Sequence, residues 1–197
     1  MLTNMLVINL AWRKNMKYFL VALFDDLSNS TVQNIQRDIC RKYKLYKSSP
    51  NLCIPISAIT NPDLDKLDAV ISKILFPYKN FKVAINNSIT LSENLSQVNL
   101  KVYDEGYIFR LARNITETLD LHGFNIKTDE DKINLHILVA NSNHIIKKLC
   151  NGSAIFIDDN LEADDFFKFI KVTRLQLWKQ ISNKKEMLVK TYELREY

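Results

Sequence analysis

Two stretches of the chain read alike, and together they decide the fold. Residues 50–57 run Pro50-Asn51-Leu52-Cys53-Ile54-Pro55-Ile56-Ser57, and residues 133–140 run Ile133-Asn134-Leu135-His136-Ile137-Leu138-Val139-Ala140. In each, a Leu precedes a short or polar residue, and apolar residues follow at alternate positions. A strand repeats its side-chain direction every two residues, so Cys53, Pro55 and Ser57 share one face. In the second stretch His136 and Leu138 share a face, opposite Leu135, Ile137 and Val139. Proline has no N–H to give a ladder, so Pro55 predicts an edge or a bulge in the first strand.

Working outward, Lys17–Phe24 (KYFLVALF) is an apolar run of the length of a buried strand. Asp25–Ser30 supplies helix caps, and Val32, Ile35, Ile39 and Tyr43 then fall at helical spacing to about Lys42. Asn61 and Pro62 predict the start of a second helix, with Asn as its cap and Pro at its first position. Its apolar stripe is Leu64, Leu67, Ile71, Ile74 and Leu75. Phe81, Val83 and Ile85 alternate, as do Val98, Leu100 and Val102, which makes two half-buried strands. A third helix carries Ile108, Leu111, Ala112, Ile115 and Leu119, with Gly123 at a left-handed C-cap. A short helix to about Leu149 follows the strand of His136. Phe169–Gln180 and Glu186–Leu194 close the chain as a hairpin. Strands and helices thus alternate in two similar halves with no low-complexity linker. The expected architecture is α+β: two pseudo-symmetric lobes of mostly antiparallel sheet, helices outside, a cleft between.

The chain has 197 residues, 47% hydrophobic and 25% charged, enough apolar surface for a real core and too much for a disordered chain. No apolar run approaches a membrane span, so no membrane partner is expected. Residues 1–15 read as an N-terminal extension without the layout of a secretory signal, and residues 16–197 as a single bilobal domain. The net charge is +5 and unevenly spread. Trp12–Lys47 holds eight Lys or Arg against three Asp, and Asp158–Asp165 holds five acids and no base. That colouring allows a phosphate-bearing partner at the first stretch and repels one at the second. Cys40, Cys53 and Cys150 lack CxxC spacing, and His122, His136 and His144 lack zincin spacing, so neither a metal nor a disulfide framework is expected. Reduced thiols fit a cytoplasmic protein. The glycine-rich nucleotide motifs and the GxSxG elbow are absent from the sequence, and no cofactor is expected.

The order of elements, the KYFLVALF opening, the PNL-x-I-x-I strand and the NLHILVA strand resemble the 2H phosphoesterase superfamily, above all its 2′-5′ RNA ligase and cyclic phosphodiesterase members. The resemblance runs from about Met16 to Tyr197. It implies a pair of lobes, each offering a His-x-Thr/Ser strand to the cleft, and metal-free opening of 2′,3′-cyclic phosphates or related RNA-end phosphoesters. One His takes a proton from the attacking oxygen and the other protonates the leaving oxygen. The two hydroxyls hold the non-bridging phosphate oxygens where charge gathers. By resemblance, Cys53 stands at the first His, Pro55 at the first hydroxyl, His136 at the second His and Leu138 at the second hydroxyl. His136 is the catalytic candidate, and Cys53, Pro55, Leu138 and Ser57 line the substrate side, Ser57 as a displaced hydroxyl. With three of four groups replaced, the resemblance implies a protein that acts on or binds RNA-end or nucleotide phosphates with catalysis impaired or lost. The alternative is a structural or protein-interaction module on the same fold. A monomer is expected.

Several residues carry two readings. Cys53 with His136 is either a nucleophilic pair or a buried thiol beside a histidine. Arg41-Lys42-Tyr43-Lys44-Leu45-Tyr46-Lys47 is either an RNA groove, with Lys44 on phosphate and Tyr46 stacking on a base, or a basic helix end leading into a strand. Trp12 and Trp178 read as packing residues, His122 as a helix-end group and His144 as surface.

Overall fold

The structure, a computed structural model, describes residues 16–47, 51–92, 94–103, 106–127, 135–149, 155–156, 167–182 and 185–196. Trp12, Cys150, the acidic run 158–165 and the N-terminal extension lie outside them. The chain order is β1 (Lys17–Phe24), α1 (Asp26–Lys42), β2 (Tyr46–Lys47), β3 (Ile54–Thr60), α2 (Leu64–Leu75), β4 (Phe81–Leu91), β5 (Gln97–Val102), α3 (Tyr107–Leu121), β6 (Asn125–Lys127), β7 (His136–Asn141), α4 (His144–Leu149), β8 (Ile155–Phe156), β9 (Phe167–Ser182) and β10 (Lys185–Glu193).

These strands form one antiparallel sheet in the order β2-β7-β5-β4-β9-β1-β3-β6, with β10 added to β9 and β8 to β4. Exchanging β1 with β5, β2 with β6, β3 with β7 and β4 with β9 returns the same order. The two halves are therefore related by a pseudo-twofold, and they trade strands. The β1–β3 pair of the first half is flanked by β9 and β6 of the second. The β5–β7 pair of the second is flanked by β4 and β2 of the first. The expected two-lobed α+β architecture is present, carried on one continuous sheet. Cα atoms of β3 and β7 approach within 8 Å without laddering, so the sheet curls to bring the two strands together.

The core follows the alternation. Leu20 and Ala22 on β1, Ile54 and Ile59 on β3, Val98, Leu100 and Val102 on β5, and Ile137 and Val139 on β7 are sealed from solvent. Val32 on α1, Leu67 and Ile71 on α2, and Leu111 and Ile115 on α3 meet them. Gln36 is buried among these groups and donates from Nε2 to the Val139 carbonyl at 2.8 Å, tying α1 of one half to β7 of the other.

Two boundaries differ from the sequence expectation. The first motif strand runs Ile54–Thr60, three residues later than Asn51–Ser57. β1 sets its pairing partners, from Ala22↔Ile54 to Lys17↔Thr60. The register slips between Leu20↔Ser57 and Val21↔Pro55, leaving Ile56 as the extra residue. Pro55 thus sits at a bulge, where a missing N–H does least harm. The second helix is capped by Asp63, not Asn61. The Asp63 carboxylate accepts from the Asp65 and Lys66 amides at 3.1 and 3.2 Å. Asn61 is left-handed, with φ of 48°, and its Oδ1 accepts the Met16 amide at 2.8 Å. A left-handed residue cannot serve as an extended N-cap, and Asp two positions later takes the work. Gly123 does take the left-handed conformation, with φ of 76°, at the position just after the His122 C-cap of α3. The two- and three-residue strands β2, β6 and β8 were not signalled, being too short to show a period.

Candidate functional site

One face of the curled sheet is covered by helices and the other carries the motif residues. The two motif strands have matching registers. Val21↔Pro55 and Ala22↔Ile54 in the first half correspond to Asn99↔Leu138 and Leu100↔Ile137 in the second. Both pairs carry a bulge at the same place, at Leu20/Val21 and at Val98/Asn99. One residue further along stand Cys53 and His136, so these two hold equivalent positions, as do Pro55 and Leu138. Pro55 is exposed; Cys53, Ser57, His136 and Leu138 are half-buried. Ser57 does not share the face of Cys53 and Pro55 as its spacing predicts: the bulge shifts it to pair with Leu20, whose side chain is sealed in the core, and so turns Ser57 to the opposite face.

The chemistry of each position follows from its surroundings. Burial pushes the Cys53 thiol up to about 12, and the Glu186 charge adds to the shift. Cys53 is therefore a neutral thiol at physiological pH, and a thiol is neither a base nor a nucleophile until it ionises. A Cys53–His136 pair would therefore start from the neutral thiol, with no thiolate at rest. Lys101 on β5 pairs directly with His136 and is half-buried beside it. Asn99, opposite Leu138, is 5% exposed, and its Oδ1 has no hydrogen-bond partner among the described residues. A buried amide oxygen without a donor costs about 1–3 kcal/mol.

Sequence reasoning missed the contribution of β9. Continuing the β1–β3 register sets Cys53 beside Leu23, and Leu23 pairs with Arg174. The guanidinium stands on the motif face two strands away, roughly 10 Å of backbone spacing. Nothing in the local sequence marks Arg174, because its place depends on a pairing some 150 residues away in the chain. Arg174 lines a cavity of about 340 Å³ with Leu23, Asn51, Leu52, Trp178 and Glu186 among its walls. Trp178 is buried, as expected of a packing residue.

The basic segment after α1 divides. Tyr43 and Leu45 are buried in the core, while Tyr46 is 85% exposed on β2 and Lys44 is exposed in a left-handed conformation, φ 53°. β2 pairs with β7, Tyr46 opposite Asn141, so Tyr46 lies on the strand next to that of His136. His122 is the C-cap of α3, its Nδ1 2.8 Å from the Thr118 carbonyl oxygen, and His144 is exposed. No cluster of three His, Cys, Asp or Glu side chains suited to a metal occurs among the described residues. No described helix is long and apolar enough to cross a membrane.

No family model matches the sequence, and no curated protein matches it. Solved structures do match. E. coli LigT complexed with 3′-AMP superposes with a TM-score of 0.62 at 10% identity, covering 92% of this chain and 99% of that one. TT0787 of Thermus thermophilus gives 0.64 at 12% identity, covering 91% and 98%. A structure described as a phosphoesterase gives 0.61 at 11% identity, covering 91% and 99%. At such identities the likeness concerns the fold, and it extends over nearly the whole of each chain.

Proposed function

We propose that this chain, which has the 2H phosphoesterase fold, binds the phosphate end of an RNA or a nucleotide between β3 and β7, and that the two-histidine chemistry of that fold is lost from it. The observation that carries the reading is the matched register of the two motif strands. It makes Cys53 the counterpart of His136, and Pro55 the counterpart of Leu138. Two-histidine chemistry needs a proton acceptor and a proton donor on opposite sides of phosphorus. His136 supplies one. Cys53, a neutral thiol, has nothing to accept with at physiological pH. Pro55 and Leu138 offer no donors to the non-bridging oxygens. Loss of one acid–base partner alone costs about 10²–10⁴-fold in rate.

Binding is supported by what remains. Lys101 beside His136 provides positive charge, and the unpartnered Asn99 oxygen accepts a donor such as a ribose hydroxyl. Exposed Tyr46 and Lys44 extend the surface from β2. That LigT was solved with 3′-AMP agrees with a nucleotide in this fold.

The test is turnover of a 2′,3′-cyclic nucleotide and of a short RNA ending in a cyclic phosphate, in EDTA. It is run beside direct binding of an RNA ending in a 3′-phosphate. The native chain is expected to bind the phosphate-ended RNA, to bind it more weakly as His136→Ala, and to turn over neither substrate. Turnover that disappears in His136→Ala would overturn the loss of chemistry. Gain of turnover in Cys53→His/Pro55→Thr/Leu138→Thr would support the assignment of the four positions. Failure to bind the RNA would overturn the binding reading and leave an interaction module on the same fold.

A further inference from the structure

A groove of about 360 Å³ lies on the helix side of the sheet, walled by Pro77, Tyr78, Tyr107, Arg110 and Asn114. These residues come from the turn after α2 and from the first half of α3. Tyr107 fixes the side. Its ring centroid is 5.0 Å from that of Phe81, which belongs to the buried set Phe81, Val83 and Ile85 packed under the helices. None of Cys53, Pro55, His136 and Leu138 is among the walls. The turn is pinned from the end of the chain. The Asn80 amide donates to the Arg195 carbonyl at 2.8 Å, and the Arg195 amide donates to the Tyr78 carbonyl at 3.4 Å. The Arg195 guanidinium then lies 4.9 Å from the centroid of the Phe76 ring, which is 73% exposed at the rim. Tyr78 and Tyr107 meet edge to face with centroids 5.3 Å apart. A groove already held in shape loses little entropy when it is filled. Contiguous exposed aromatic surface of this kind marks an interaction site.

The polar groups narrow the occupant. The Thr118 hydroxyl donates to Asn114 Oδ1 at 3.3 Å, and Asn114 Nδ2 donates to Tyr78 Oη at 3.4 Å. The Tyr78 oxygen is thereby an acceptor already in use, and its own hydroxyl hydrogen is left to donate outward. The Arg110 guanidinium, 5.8 Å from the Tyr107 centroid, only donates. No carboxylate lines the groove among the described residues. Such walls suit a ligand rich in acceptors, poor in donors and flat on one side. A cationic ligand would face Arg110. A proline-rich segment meets each requirement. Proline has no N–H, the carbonyls of a polyproline II helix make no internal bonds, and proline rings pack on aromatic faces. We propose that this groove docks a proline-rich segment of a partner protein, with prolines against Tyr78 and Tyr107, a carbonyl oxygen on the Tyr78 hydroxyl and an acidic side chain on Arg110. The docking does not involve the cleft between β3 and β7 and does not rest on the phosphate reading of that cleft.

Fluorescence anisotropy with the full chain tests it, using a labelled octaproline that ends in glutamate. The comparison probes are the same peptide ending in lysine, a glycine–serine peptide of equal length ending in glutamate, and a labelled oligouridine. The variants are Tyr107→Ala, Arg110→Glu and His136→Ala, each checked for native circular dichroism. The native chain is expected to bind the glutamate octaproline at least about tenfold tighter than the glycine–serine peptide, and tighter than the lysine octaproline. Tyr107→Ala should weaken it by about tenfold or more, since a central aromatic anchor is lost. Tyr107 also packs on Phe81, so the exposed Arg110 supplies the check that does not touch the core. Arg110→Glu should reverse the preference between the glutamate and lysine peptides. His136→Ala should bind the octaproline as the native chain does. The inference falls if octaproline binds no better than the glycine–serine peptide, if Tyr107→Ala binds as the native chain does, or if Arg110→Glu keeps the native preference. It falls equally if His136→Ala abolishes peptide binding, which would place the peptide in the β3–β7 cleft. Oligouridine that binds the native chain and is lost in Tyr107→Ala would overturn it in favour of an RNA surface.

Discussion

Asn99 is a residue whose place in the fold is out of keeping with its chemistry. Its neighbours Val98 and Leu100 point into the core, and its own side chain points to the motif face, where it is 5% exposed with an oxygen lacking a donor. Replacing it with an apolar residue of similar size removes the desolvated oxygen. Asn99→Leu is expected to raise stability by about 1 kcal/mol or more, read as a shift of the denaturant midpoint. The same variant should bind phosphate-ended RNA less well. No gain in stability would mean the oxygen is satisfied by water. Cys53 gives a second prediction. With its thiol near 12, the thiolate fraction at pH 8 is roughly a thousandfold below that of an ordinary cysteine. Iodoacetamide should therefore leave Cys53 unmodified under conditions that alkylate an unfolded control, as read by peptide mass spectrometry. Alkylation at an ordinary rate would restore Cys53 as a candidate nucleophile. The likeness of the two strands, Asn-Leu followed by alternate apolar residues, was legible in the sequence, while the correspondence of Cys53 with His136 and of Pro55 with Leu138 came from the family resemblance. The sequence left Arg174, Asn99 and Lys101 unmarked. Their roles come from cross-strand neighbours, which no local period records.

Among the elements, helices were legible where apolar spacing and caps agreed, and the start of α2 was misplaced where two caps competed. Asn61-Pro62-Asp63 offers both, and the left-handed backbone at Asn61 decides for Asp63. Asp63→Ala should therefore cost about 1 kcal/mol in thermal or denaturant unfolding. Asn61→Gly, which keeps the left-handed turn, should leave the helix start intact; the reverse order of effects would return the cap to Asn61. The β9–β10 hairpin illustrates a different rule. Residues 185–190 of β10 are all exposed, and the strand is anchored to α2 by Lys190 on Asp68 at 2.7 Å. The Lys190 ammonium holds the Asp68 carboxyl below the usual range, against partial burial that pushes it up. A carboxyl lowered by folding stabilises the fold when ionised. Its contribution is full above the unfolded value of about 3.9 and is lost as pH falls through the folded value. The pair is half-exposed, so the effect is small, about 0.5 kcal/mol. Native chain and Asp68→Asn should differ in melting temperature near pH 7 and converge below about pH 4. A difference that persisted at low pH would show that packing, not charge, anchors the hairpin.

Across the whole molecule, the exchange of strands makes the halves interdependent. Alone, the first half would keep the β1–β3 pair and the second would keep β5–β7 and the β9–β10 hairpin, but each motif pair would lose both of its flanking strands. The cost is not confined to hydrogen bonds. β1 pairs with β9 from Tyr18 to Phe24, and β4 pairs with β9 from Phe81 to Asn86, so β9 links both lobes through one strand. Ile170, Val172, Leu175 and Leu177 on β9 are sealed in the core. The Gln36–Val139 bond adds a buried polar tie over 103 positions of sequence. Such a core cannot divide at the loop between β4 and β5 without exposing apolar surface on both pieces. Fragments 16–92 and 97–197 are accordingly expected to lack native near-ultraviolet circular dichroism when separate and to recover it on mixing. The intact chain should unfold in urea as one transition, with fluorescence and circular dichroism coincident. Gln36→Met, which removes the donor and leaves the Val139 carbonyl buried, should lower that single midpoint by the equivalent of about 1–3 kcal/mol without splitting it. Two resolved transitions, or a fragment that folds alone, would mean that each lobe owns a complete core. The traded strands would then be a surface arrangement and not the reason the chain folds as one.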